Sequence, residues 1–337
     1  MIQRAQTVTD LRAGMVATSN RVRDEAAPVI SVVVPIYNEE ANLPVLVERL
    51  TRTLTALGTI YEVIFVDDGS RDRSRELLRE FHGRDPRLKL VGLSRNFGHQ
   101  VAISCGIDFA RGDGVVVMDG DLQDPPEVLP DLIARWREGF DVVYAVRQER
   151  KENLIKRVAY KSFYWLLRRV SYLDIPLDSG DFSLMDRRVV DILKRMPERN
   201  RFVRGLRTWI GLRQTGFVYA RAARHAGQSK YTLTKLMRLA FDGLVSYSFV
   251  PLRLVSNLGL LVSLSALAYM VYLLMARLFG DQVIQGWTST VVIVLFLGGV
   301  QLLSLGIIGE YVGRVFDEVK QRPQYIVGEV AGFPEAN

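Results

Sequence analysis

Two aspartates that flank a glycine follow a short apolar run in the first half of the chain. The run is residues 115–118, and Asp119, Gly120 and Asp121 come directly after it. Side chains two positions apart in an extended chain project to the same side, so both carboxylates face one cleft. Paired carboxylates suit a hard divalent cation that keeps open positions for diphosphate oxygens. The pair therefore predicts a cation site, to which Gln123 can add a neutral oxygen, although Asp-x-Asp alone also marks turns.

A second acidic pair follows another apolar run, residues 62–66. Asp67 and Asp68 precede Gly69, which permits a tight turn, and Ser70, which can cap the following helix. One carboxylate of the pair can accept a hydrogen bond from a nucleotide base. In the alternative interpretation both aspartates serve only the turn and the cap, and the sequence leaves the two interpretations open.

A third polar group follows residues 30–34 and contains Pro35, Tyr37, Glu39 and Glu40. Tyr37 can stack on a base, and Glu39 can reach the same base. Alternatively, the two glutamates serve only the dipole of the next helix, because carboxylates are favourable at a helix N-terminus.

Short apolar runs alternate with amphipathic stretches between residues 28 and 146, and this alternation predicts how the acidic groups are positioned. The predicted strands are residues 30–34, 62–66, 88–93, 115–118 and 142–146, and the predicted helices are residues 39–57, 72–81 and 97–111. Such alternation, with nearly continuous apolar strands, predicts a parallel sheet covered on both faces. Ligands of such a sheet lie at the carboxyl ends of the strands, where the three acidic groups converge.

The composition limits the class of protein. The chain has 337 residues, of which 48% are hydrophobic, and a formal net charge of +7, and its mean hydropathy is +0.09. This combination predicts a soluble domain joined to an apolar segment, and the basic balance fits a nucleic acid, an anionic membrane surface or an anionic substrate. The single cysteine, Cys105, excludes an internal disulfide and is expected to be a packed core thiol. The histidines, His82, His99 and His225, have no zinc-binding spacing.

Two apolar stretches near the end of the chain, residues 254–279 and 287–308, are each long enough to span a membrane. The loop between them is short, and basic residues flank the pair on both outer sides: Lys235, Arg238, Arg253, Arg314, Lys320 and Arg322. Because cytoplasmic flanks carry the excess of Lys and Arg, the pair is predicted to form a hairpin with both flanks in the cytoplasm. The alternative is a pair of buried helices in a soluble protein.

Other segments complete the predicted organisation. Residues 1–27 carry charges and no apolar core, which predicts a flexible leader rather than a secretory signal, so that the first domain stays in the cytoplasm. Residues 154–170 and 231–253 mix apolar and aromatic residues with basic ones, as helices in a membrane interface do. For residues 154–170 an ordinary surface helix is the alternative. Residues 310–337 are predicted to be a cytoplasmic tail.

The motifs at the strand ends, VPIYNEE (34–40), VDDGS (66–70), LSRNFG (93–98) and MDGDLQDPPE (118–127), resemble those of the inverting family 2 glycosyltransferases. More narrowly, the chain resembles the polyprenyl-phosphate glycosyltransferases, a group similar to dolichol-phosphate-mannose synthase that includes bactoprenol glucosyltransferases. This resemblance covers residues 29–327 and continues through SGDFSLMDRRVV (179–190), PERNRFVRGLRTWIG (197–211), AGQSKYTLTKL (226–236) and residues 296–327. The last segment is highly specific, because ordinary transmembrane helices do not end in Gly-Glu-Tyr-Val-Gly-Arg.

The resemblance implies an α/β fold of GT-A type, with a Rossmann-like parallel-core sheet in residues 28–230, interfacial amphipathic helices and a two-helix transmembrane hairpin in residues 254–309. It also implies roles for individual residues. The nucleotide sugar is expected at Pro35, Tyr37, Glu39, Asp67, Asp68 and Asp119. Mg²⁺ or Mn²⁺ is expected at Asp119, Asp121 and Gln123, and the catalytic residues are expected to be Asp121 and Asp181. The phosphate of a lipid acceptor is expected at Arg147, Arg201, Arg204, Ser229 and Lys230.

One position departs from the family pattern. Bacterial relatives commonly have Asp-Phe-Arg-Leu-Met where this chain has Ser183 in place of the arginine. If that arginine contacts the acceptor phosphate, another cation must replace it here, and Arg147 and Arg187 are the candidates.

The implied function is the inverting transfer of one sugar from a nucleotide sugar to a polyprenyl phosphate such as undecaprenyl phosphate. UDP-glucose is the favoured donor, and GDP-mannose, UDP-N-acetylhexosamine and UDP-aminoarabinose remain open. A polysaccharide synthase usually shows a Gln-x-x-Arg-Trp motif, which the sequence lacks, and the intact acidic set argues against a non-catalytic membrane adaptor. The protein is expected to be an integral membrane homo-oligomer with both termini in the cytoplasm and with no nucleic acid partner.

Overall fold

Eight strands form one mixed sheet in the computed structural model of the protein, which describes residues 29–147, 179–199, 201–220, 250–279 and 286–334. In chain order the strands are β1 (Ile30–Ile36), β2 (Tyr61–Asp67), β3 (Leu88–Leu93), β4 (Gly114–Val117), β5 (Val142–Arg147), β6 (Ser179–Asp186), β7 (Gln214–Tyr219) and β8 (Val327–Ala331). Across the sheet they lie in the order β7-β5-β6-β4-β1-β2-β3-β8.

Four neighbouring strands, β4, β1, β2 and β3, are parallel and form the centre of the sheet. Val33 of β1 pairs with Ile64 of β2 and with Val117 of β4. These strands are almost continuously apolar because both faces are covered, and every residue of β1 and β2 is buried. All five strands predicted from the sequence are confirmed, and so is the α/β fold class with a parallel core.

Helices cover the two faces of the sheet: α1 (Leu43–Ala56), α2 (Ser74–Arg84), α3 (His99–Phe109), α4 (Leu129–Arg137), α5 (Arg187–Arg195) and α6 (Val203–Ile210). Helices α1, α2 and α4 pack on one face, in the core that contains Leu50. Helices α3, α5 and α6 pack on the other face, in the core that contains Ile103. Cys105 of α3 is buried in this second core, as predicted, and burial raises the pKa of its thiol to about 12.

The first helix begins later than the sequence predicted. The prediction places its start at residue 39, whereas α1 starts at Leu43. Pro44 lies in its first turn, where the missing N–H costs no hydrogen bond and the fixed φ suits a helix start. The residues before α1 form a turn instead, in which the N–H of Asn42 donates to the carbonyl oxygen of Glu39 at 3.0 Å.

Strands β6, β7 and β8 were not predicted from the sequence. Strand β6 lies between β4 and β5 and is antiparallel to both, and Ser183 pairs with Val117 on one side and with Tyr144 on the other. Polar residues interrupt the apolar alternation of β6, so its periodicity is weak. Because β6 runs antiparallel to β4, its first residues lie beside the carboxyl end of β4. Asp181 therefore reaches the edge of the sheet where Asp119 lies.

Two long helices, α7 (Val250–Phe279) and α8 (Trp287–Val319), contact each other and form the predicted hairpin. Large apolar side chains are exposed on both helices, and Leu302 of α8 is 73% exposed. This exposure argues against two buried helices in a soluble protein. Within the described part of the chain, Phe296–Val319 is long and apolar enough to cross a membrane, and it overlaps the predicted span of residues 287–308.

The chain returns to the sheet after α8, where β8 pairs antiparallel with β3. Arg79 of α2 forms a bidentate salt bridge with Glu329 of β8, at 2.6 and 2.7 Å. The hydroxyl of Tyr325 donates to Asp108 of α3 at 2.9 Å. Residues 310–337, which the sequence analysis assigned to a tail, thus include an edge strand that ties the hairpin to the sheet.

Several predicted segments lie outside the described residues. These are the leader, residues 1–27, the interfacial segment 154–170 and nearly all of the interfacial segment 231–253. They stay predictions, as do the exact domain boundaries.

Candidate active site

The predicted acidic groups meet at one edge of the sheet, where the parallel strands end. Asp68 follows β2, Asp119 follows β4, and Asp181 lies in β6 beside β4. His99, the first residue of α3, connects two of them, because its Nε2 lies 3.4 Å from Oδ1 of Asp119 and 3.6 Å from Oδ2 of Asp181. Burial alone would lower the pKa of His99, but the hydrogen bond with Asp181 and the charge of Asp119 raise it above its usual value. A histidine therefore joins two carboxylates from distant parts of the sequence.

The carboxyl group of Asp119 faces three other carboxylates and one cationic partner, His99. Burial and the nearby carboxylates of Asp124, Asp181 and Asp121 raise its pKa to about 6, although His99 opposes the shift. Within the described residues its buried Oδ1 accepts no hydrogen bond, although Nε2 of His99 lies 3.4 Å away. A buried carboxylate oxygen without a donor, surrounded by like charges, is stabilised by a cation. The side chains present here therefore fit the predicted metal ion.

The other predicted ligands, Asp121 and Gln123, lie in the turn after Asp119. Oδ1 of Asp121 accepts a hydrogen bond from the N–H of Gln123 at 3.1 Å, and Leu122 between them has a φ of 60°, a left-handed conformation that non-glycine residues seldom adopt. Among the described residues no group of three or more His, Cys, Asp or Glu side chains is arranged to hold a metal. The site would therefore depend on two carboxylates, one amide and the oxygens of a bound diphosphate.

Asp181 is kept ionised by its neighbours. Burial alone would raise its pKa, but the hydrogen bond with His99 and the positive charges of Arg204 and Arg207 lower it to about 2. Nη2 of Arg204 lies 3.6 Å from Oδ1, and Nε2 of Gln100 donates to Oδ2 at 2.9 Å. A carboxylate with so low a pKa is a weak proton acceptor. The geometry therefore favours an orienting role for Asp181 over general-base catalysis.

Asp67 and Asp68 are both bound by the protein itself. Nε of Arg75 donates to Oδ2 of Asp67 at 2.6 Å, and Asp67 is fully buried. Asp68 accepts hydrogen bonds from the N–H groups of Phe97 at 2.7 Å and Gly98 at 2.9 Å. Burial raises the pKa of Asp68, and these two bonds oppose the shift. Asp67 is not accessible to a nucleotide in this structure, and its contacts agree with a role in the turn. Asp68 fixes the loop before α3.

The predicted nucleotide-binding residues after β1 differ in how open they are. Tyr37 is 43% exposed, so its ring is free to stack on a base. Glu39 accepts a hydrogen bond from Nδ2 of Asn42 at 2.5 Å, and its N–H donates to Oγ of Ser74 at 2.9 Å. Pro35 is buried within β1. Tyr37 therefore presents the open surface of this group.

The predicted acceptor arginines lie in separate places. Arg204 of α6 lies beside Asp181, whereas Arg147, at the end of β5, lies beside Asp124 and Tyr219. Burial alone would lower the pKa of Arg147, but the charge of Asp124 and the hydrogen bond with Tyr219 raise it. Tyr219 in turn donates its hydroxyl to Asp124. Arg147 thus belongs to a cluster of its own at the same edge of the sheet.

Arg201 lies in the segment that leads into α6, and its Nη2 donates to the carbonyl oxygen of Met196 at 2.7 Å. In Arg147, Arg201 and Arg204 alike, Nε is buried and has no hydrogen-bond partner in the described ranges of the chain. A buried donor without an acceptor is costly and is satisfied when an anion binds. The remaining predicted acceptor residues, Ser229 and Lys230, lie outside the described residues.

The surroundings of Ser183 identify a cation that the sequence analysis did not single out. Ser183 is buried on the face of the sheet that α6 covers, next to Tyr144. Arg207 of α6 lies over the Tyr144 ring, 5.5 Å from its centroid, and is 1% exposed. Within the described part of the chain, its Nε and Nη2 have no hydrogen-bond partner. Burial and the charge of Arg204 lower the pKa of Arg207 to about 10, so it remains a cation at neutral pH.

Arg187, one of the two candidates to replace the family arginine, lies away from the acidic edge. Its guanidinium donates to the carbonyl oxygens of Gly112, at 2.9 Å, and Ala110, at 3.1 Å. Both carbonyls precede β4, at the end of the sheet opposite to Asp119, so Arg187 cannot reach an acceptor at the acidic edge.

Sequence reasoning missed three residues that line this edge: His99, Gln100 and Arg207. The first two directly follow the LSRNFG motif and begin the helix after β3. A polar pair at that place was a usable signal, but histidine was considered only as a zinc ligand. Arg207 gave no comparable signal, because its burial depends on the packing of α6 against β5 and β6.

Comparisons with known proteins match both parts of the chain. The family model described as Glycosyl transferase family 2 matches residues 31–193, and the model described as GtrB C-terminal hairpin matches residues 250–315. The chain is 49% identical to "Uncharacterized glycosyltransferase YkcC" of Bacillus subtilis, over 90% of this chain and 94% of that protein. It is 40% identical to "SfII prophage-derived bactoprenol glucosyl transferase" of Shigella flexneri, over 88% of this chain and 97% of that protein.

Among solved structures, S. aureus TarS 1-349 in complex with UDP-GlcNAc matches with a TM-score of 0.43 and 19% identity, over 65% of this chain and 67% of that chain.

Proposed function

The chain belongs to glycosyl transferase family 2, and from this premise we propose that it transfers one sugar from a nucleotide sugar to a polyprenyl phosphate. The family expected from the strand-end motifs is confirmed, and with it the activity of a glycosyltransferase. Relatives that are 38% and 40% identical are named bactoprenol glucosyl transferases. Their names support a polyprenyl phosphate acceptor and UDP-glucose as the first donor to test.

One observation carries the proposal, which is the position of Asp181 between a carboxylate and a guanidinium. His99 connects Asp181 to Asp119, and Arg204 approaches the other side of Asp181. Carboxylates suit a divalent cation and the diphosphate that it binds, whereas guanidinium groups suit a phosphate. A single edge of the sheet thus offers binding groups for a donor and for an anionic acceptor.

On the donor side, Tyr37 stacks on the base, and Asp68 holds the loop that begins α3. Asp119, Asp121 and Gln123 hold Mg²⁺ or Mn²⁺. When bound, the cation neutralises the negative charge that develops on the departing nucleoside diphosphate. The buried Oδ1 of Asp119, which accepts no hydrogen bond from the residues that the structure describes, supports this assignment.

On the acceptor side, the attacking group is an oxygen of the lipid phosphate, which is already ionised near neutral pH. A strong general base is therefore unnecessary, in keeping with the pKa of about 2 for Asp181. Asp181 orients the reacting groups, while Arg204 and Arg147 offset the repulsion between two anionic substrates. In-line attack at the anomeric carbon inverts its configuration and gives a β-linked product from an α-linked donor.

The hairpin supports a location of this chemistry at a bilayer. The hairpin match and the apolar stretch Phe296–Val319 indicate association with a membrane. The basic residues that flank the hairpin, including Arg314 and Lys320, support a topology with both flanks and both termini in the cytoplasm. We further propose that the protein is a homo-oligomer.

Transfer into lipid tests the proposal. Membranes that contain the full chain are incubated with undecaprenyl phosphate and, separately, with radiolabelled UDP-glucose, GDP-mannose, UDP-N-acetylglucosamine and UDP-aminoarabinose. The expected result is label in the organic phase that EDTA abolishes and that added Mg²⁺ or Mn²⁺ restores. If no donor labels the lipid while the protein is folded, the proposed function is wrong.

A further inference from the structure

Gln100 connects two parts of the site that are distant in the sequence. Its side-chain Nε2 donates to Oδ2 of Asp181 at 2.9 Å, and its Oε1 accepts the backbone N–H of Val203 at 3.0 Å. Asp181 belongs to β6, and Val203 is the first residue of α6. One amide group therefore spans from the catalytic edge of the sheet to the start of the helix that carries Arg204.

The bond to Val203 meets a need of α6. The first N–H groups of any helix have no acceptor within the helix. The residue before α6, Phe202, provides no side-chain cap, so Gln100 supplies one from α3. An eight-residue helix has little stability of its own and depends on such contacts for its position.

The two bonds require an amide in particular. Towards Asp181 the side chain must donate, and towards Val203 it must accept, and glutamine does both at once. Glutamate has the same shape and can accept from Val203, but at neutral pH it cannot donate to Asp181. Methionine has a similar length and does neither. Substitution of Gln100 by glutamate or methionine therefore distinguishes the contact with Asp181 from the contact with Val203.

The bridge also determines where the cations lie. Arg204 and Arg207 follow Val203 on α6, and Nη2 of Arg204 approaches Oδ1 of the same Asp181 whose Oδ2 binds Gln100. His99, the neighbour of Gln100, contacts Asp181 and Asp119. A shift of α6 relative to β6 would therefore move the arginines away from the carboxylates.

We propose that Gln100 is a positioning residue that fixes the start of α6 against Asp181, so that the arginines of α6 face the donor carboxylates at the distance that transfer requires. The inference rests on the proposed function, because that function assigns Arg204 of α6 to the acceptor. The amide of Gln100 is occupied by Asp181 and Val203, so its loss should act through α6, impair use of the acceptor and leave the binding of the nucleotide unchanged.

The test uses the full chain with the substitutions Gln100→Met and Gln100→Glu. Gln214→Glu is the matched control, because Gln214 donates to the carbonyl oxygen of Arg207 on the same helix at 3.0 Å and is remote from Asp181 in the sheet. Steady-state kinetics with varied undecaprenyl phosphate give kcat/KM for the acceptor, and titration with UDP in the presence of Mn²⁺ gives the affinity of the donor side.

We expect both Gln100 variants to lose about 10- to 100-fold in kcat/KM for the acceptor while the affinity for UDP stays within about twofold. The control should stay within about twofold in both measurements. In an Asp181→Ala background, which lacks the acceptor of this hydrogen bond, Gln100→Met should cost no more than about threefold further, because the two residues act through one contact. The proposal would be overturned if the Gln100 variants had wild-type kinetics or lost UDP affinity to the same extent. It would also be overturned if the loss in the double variant were the full product of the losses in the two single variants.

Hydrogen–deuterium exchange judges the bridge without turnover. Peptides that cover residues 201–210 should exchange faster in Gln100→Met than in the wild type, and the Gln214→Glu control should leave the amide of Val203 protected. Unchanged exchange in Gln100→Met would overturn the proposal even if the enzyme is active. If the wild type labels no lipid but the exchange changes as expected, the proposed function fails and the bridge stands.

Discussion

The carboxylates and the arginines of the active site are held in different ways. The donor half, which we define as Asp68, Asp119 and Asp121, follows parallel strands in the centre of the sheet, and backbone N–H groups bind Asp68 and Asp121. The acceptor half, which we define as Arg204 and Arg207, lies on an eight-residue helix and keeps buried nitrogens without hydrogen-bond partners among the described residues.

This difference indicates how each half is completed. Backbone N–H groups hold the carboxylates of Asp68 and Asp121 in place, so these two residues of the donor half are positioned before a substrate binds. The acceptor half contains guanidinium groups whose donors need an anion, and burial of such groups without partners is costly. We therefore expect substitutions in the donor half to abolish sugar transfer. Substitutions of the buried arginines in the acceptor half should lower the transfer activity and raise the stability of the fold.

The largest effect is expected for Asp121→Asn. This change removes a carboxylate from the donor half, and we expect kcat to fall about 10³-fold, as when a group that stabilises developing charge is lost. The measurement is transfer of labelled sugar to undecaprenyl phosphate by membranes with equal amounts of each protein. Asp131→Asn, on the exposed first turn of α4, is the control and should keep full activity. A variant that keeps its turnover would exclude Asp121 from the metal site.

The second effect tests the acceptor half directly. We expect Arg204→Ala to lower kcat/KM for undecaprenyl phosphate by about 10- to 100-fold, because it removes a charged donor beside Asp181. The affinity for UDP with Mn²⁺ should stay unchanged. Arg188→Ala is the control, because Arg188 pairs with Asp141 at the opposite end of the sheet. A loss of UDP affinity in Arg204→Ala would place Arg204 in the donor half instead.

The third effect has opposite signs in activity and stability. Arg207 is a buried cation that lacks a salt bridge within the described residues, so replacing it with Met removes a desolvation cost. We expect Arg207→Met to raise the free energy of unfolding by ~1–3 kcal/mol and to lower kcat/KM for the acceptor about tenfold.

Thermal denaturation in detergent and transfer kinetics measure the two quantities on the same sample. A variant that is less stable and less active would show that Arg207 serves the fold alone. Adding Ser183→Arg to Arg207→Met should restore part of the activity, because Ser183 lies next to the same Tyr144 ring.

The comparison between the halves also shows what the sequence could predict. Strands β1 to β4 and the acidic residues at their ends were predictable because each strand is a continuous apolar run and parallel strands end at one edge. The contacts of Asp67 were not predictable in the same way. A carboxylate at a strand end can bind a buried side chain such as that of Arg75 or a nucleotide, and the sequence does not distinguish the two.

The acceptor half was less predictable for a physical reason. Asp181 lies on β6, which pairs with β4 and β5 across large separations in the sequence. Arg207 faces Tyr144 only after β5, β6 and α6 have packed together. The resemblance to a family pointed to Arg204 and Asp181 as site residues. Periodicity alone predicted neither strand β6, which carries Asp181, nor the contact between Asp181 and Arg204.

The smallest effect is expected far from both halves, at the salt bridge between Arg79 and Glu329 that ties β8 to α2. Arg79 is half exposed, so Arg79→Ala should lower the free energy of unfolding by less than about 1 kcal/mol at pH 7. The hydrogen bond from Arg79 lowers the pKa of Glu329. The salt bridge therefore stabilises the fold fully above the pKa of a glutamate in the unfolded chain, about 4.3. This stabilisation is lost as the pH falls through the lowered pKa of Glu329 in the folded protein.

Thermal denaturation of the wild type and Arg79→Ala between pH 7 and pH 3 checks this sign, with Arg84→Ala as a control because Arg84 pairs only weakly with Glu80, at 3.6 Å on the surface of α2. The difference between wild type and Arg79→Ala should shrink as the solution becomes acidic, whereas the control should differ little from the wild type throughout. Because neither half of the site contacts this salt bridge, transfer activity at pH 7 should be unchanged. A large loss of activity in Arg79→Ala would mean that β8 positions the hairpin over the site. Strand β8 would then be a third element that the site needs, besides the donor half and the acceptor half.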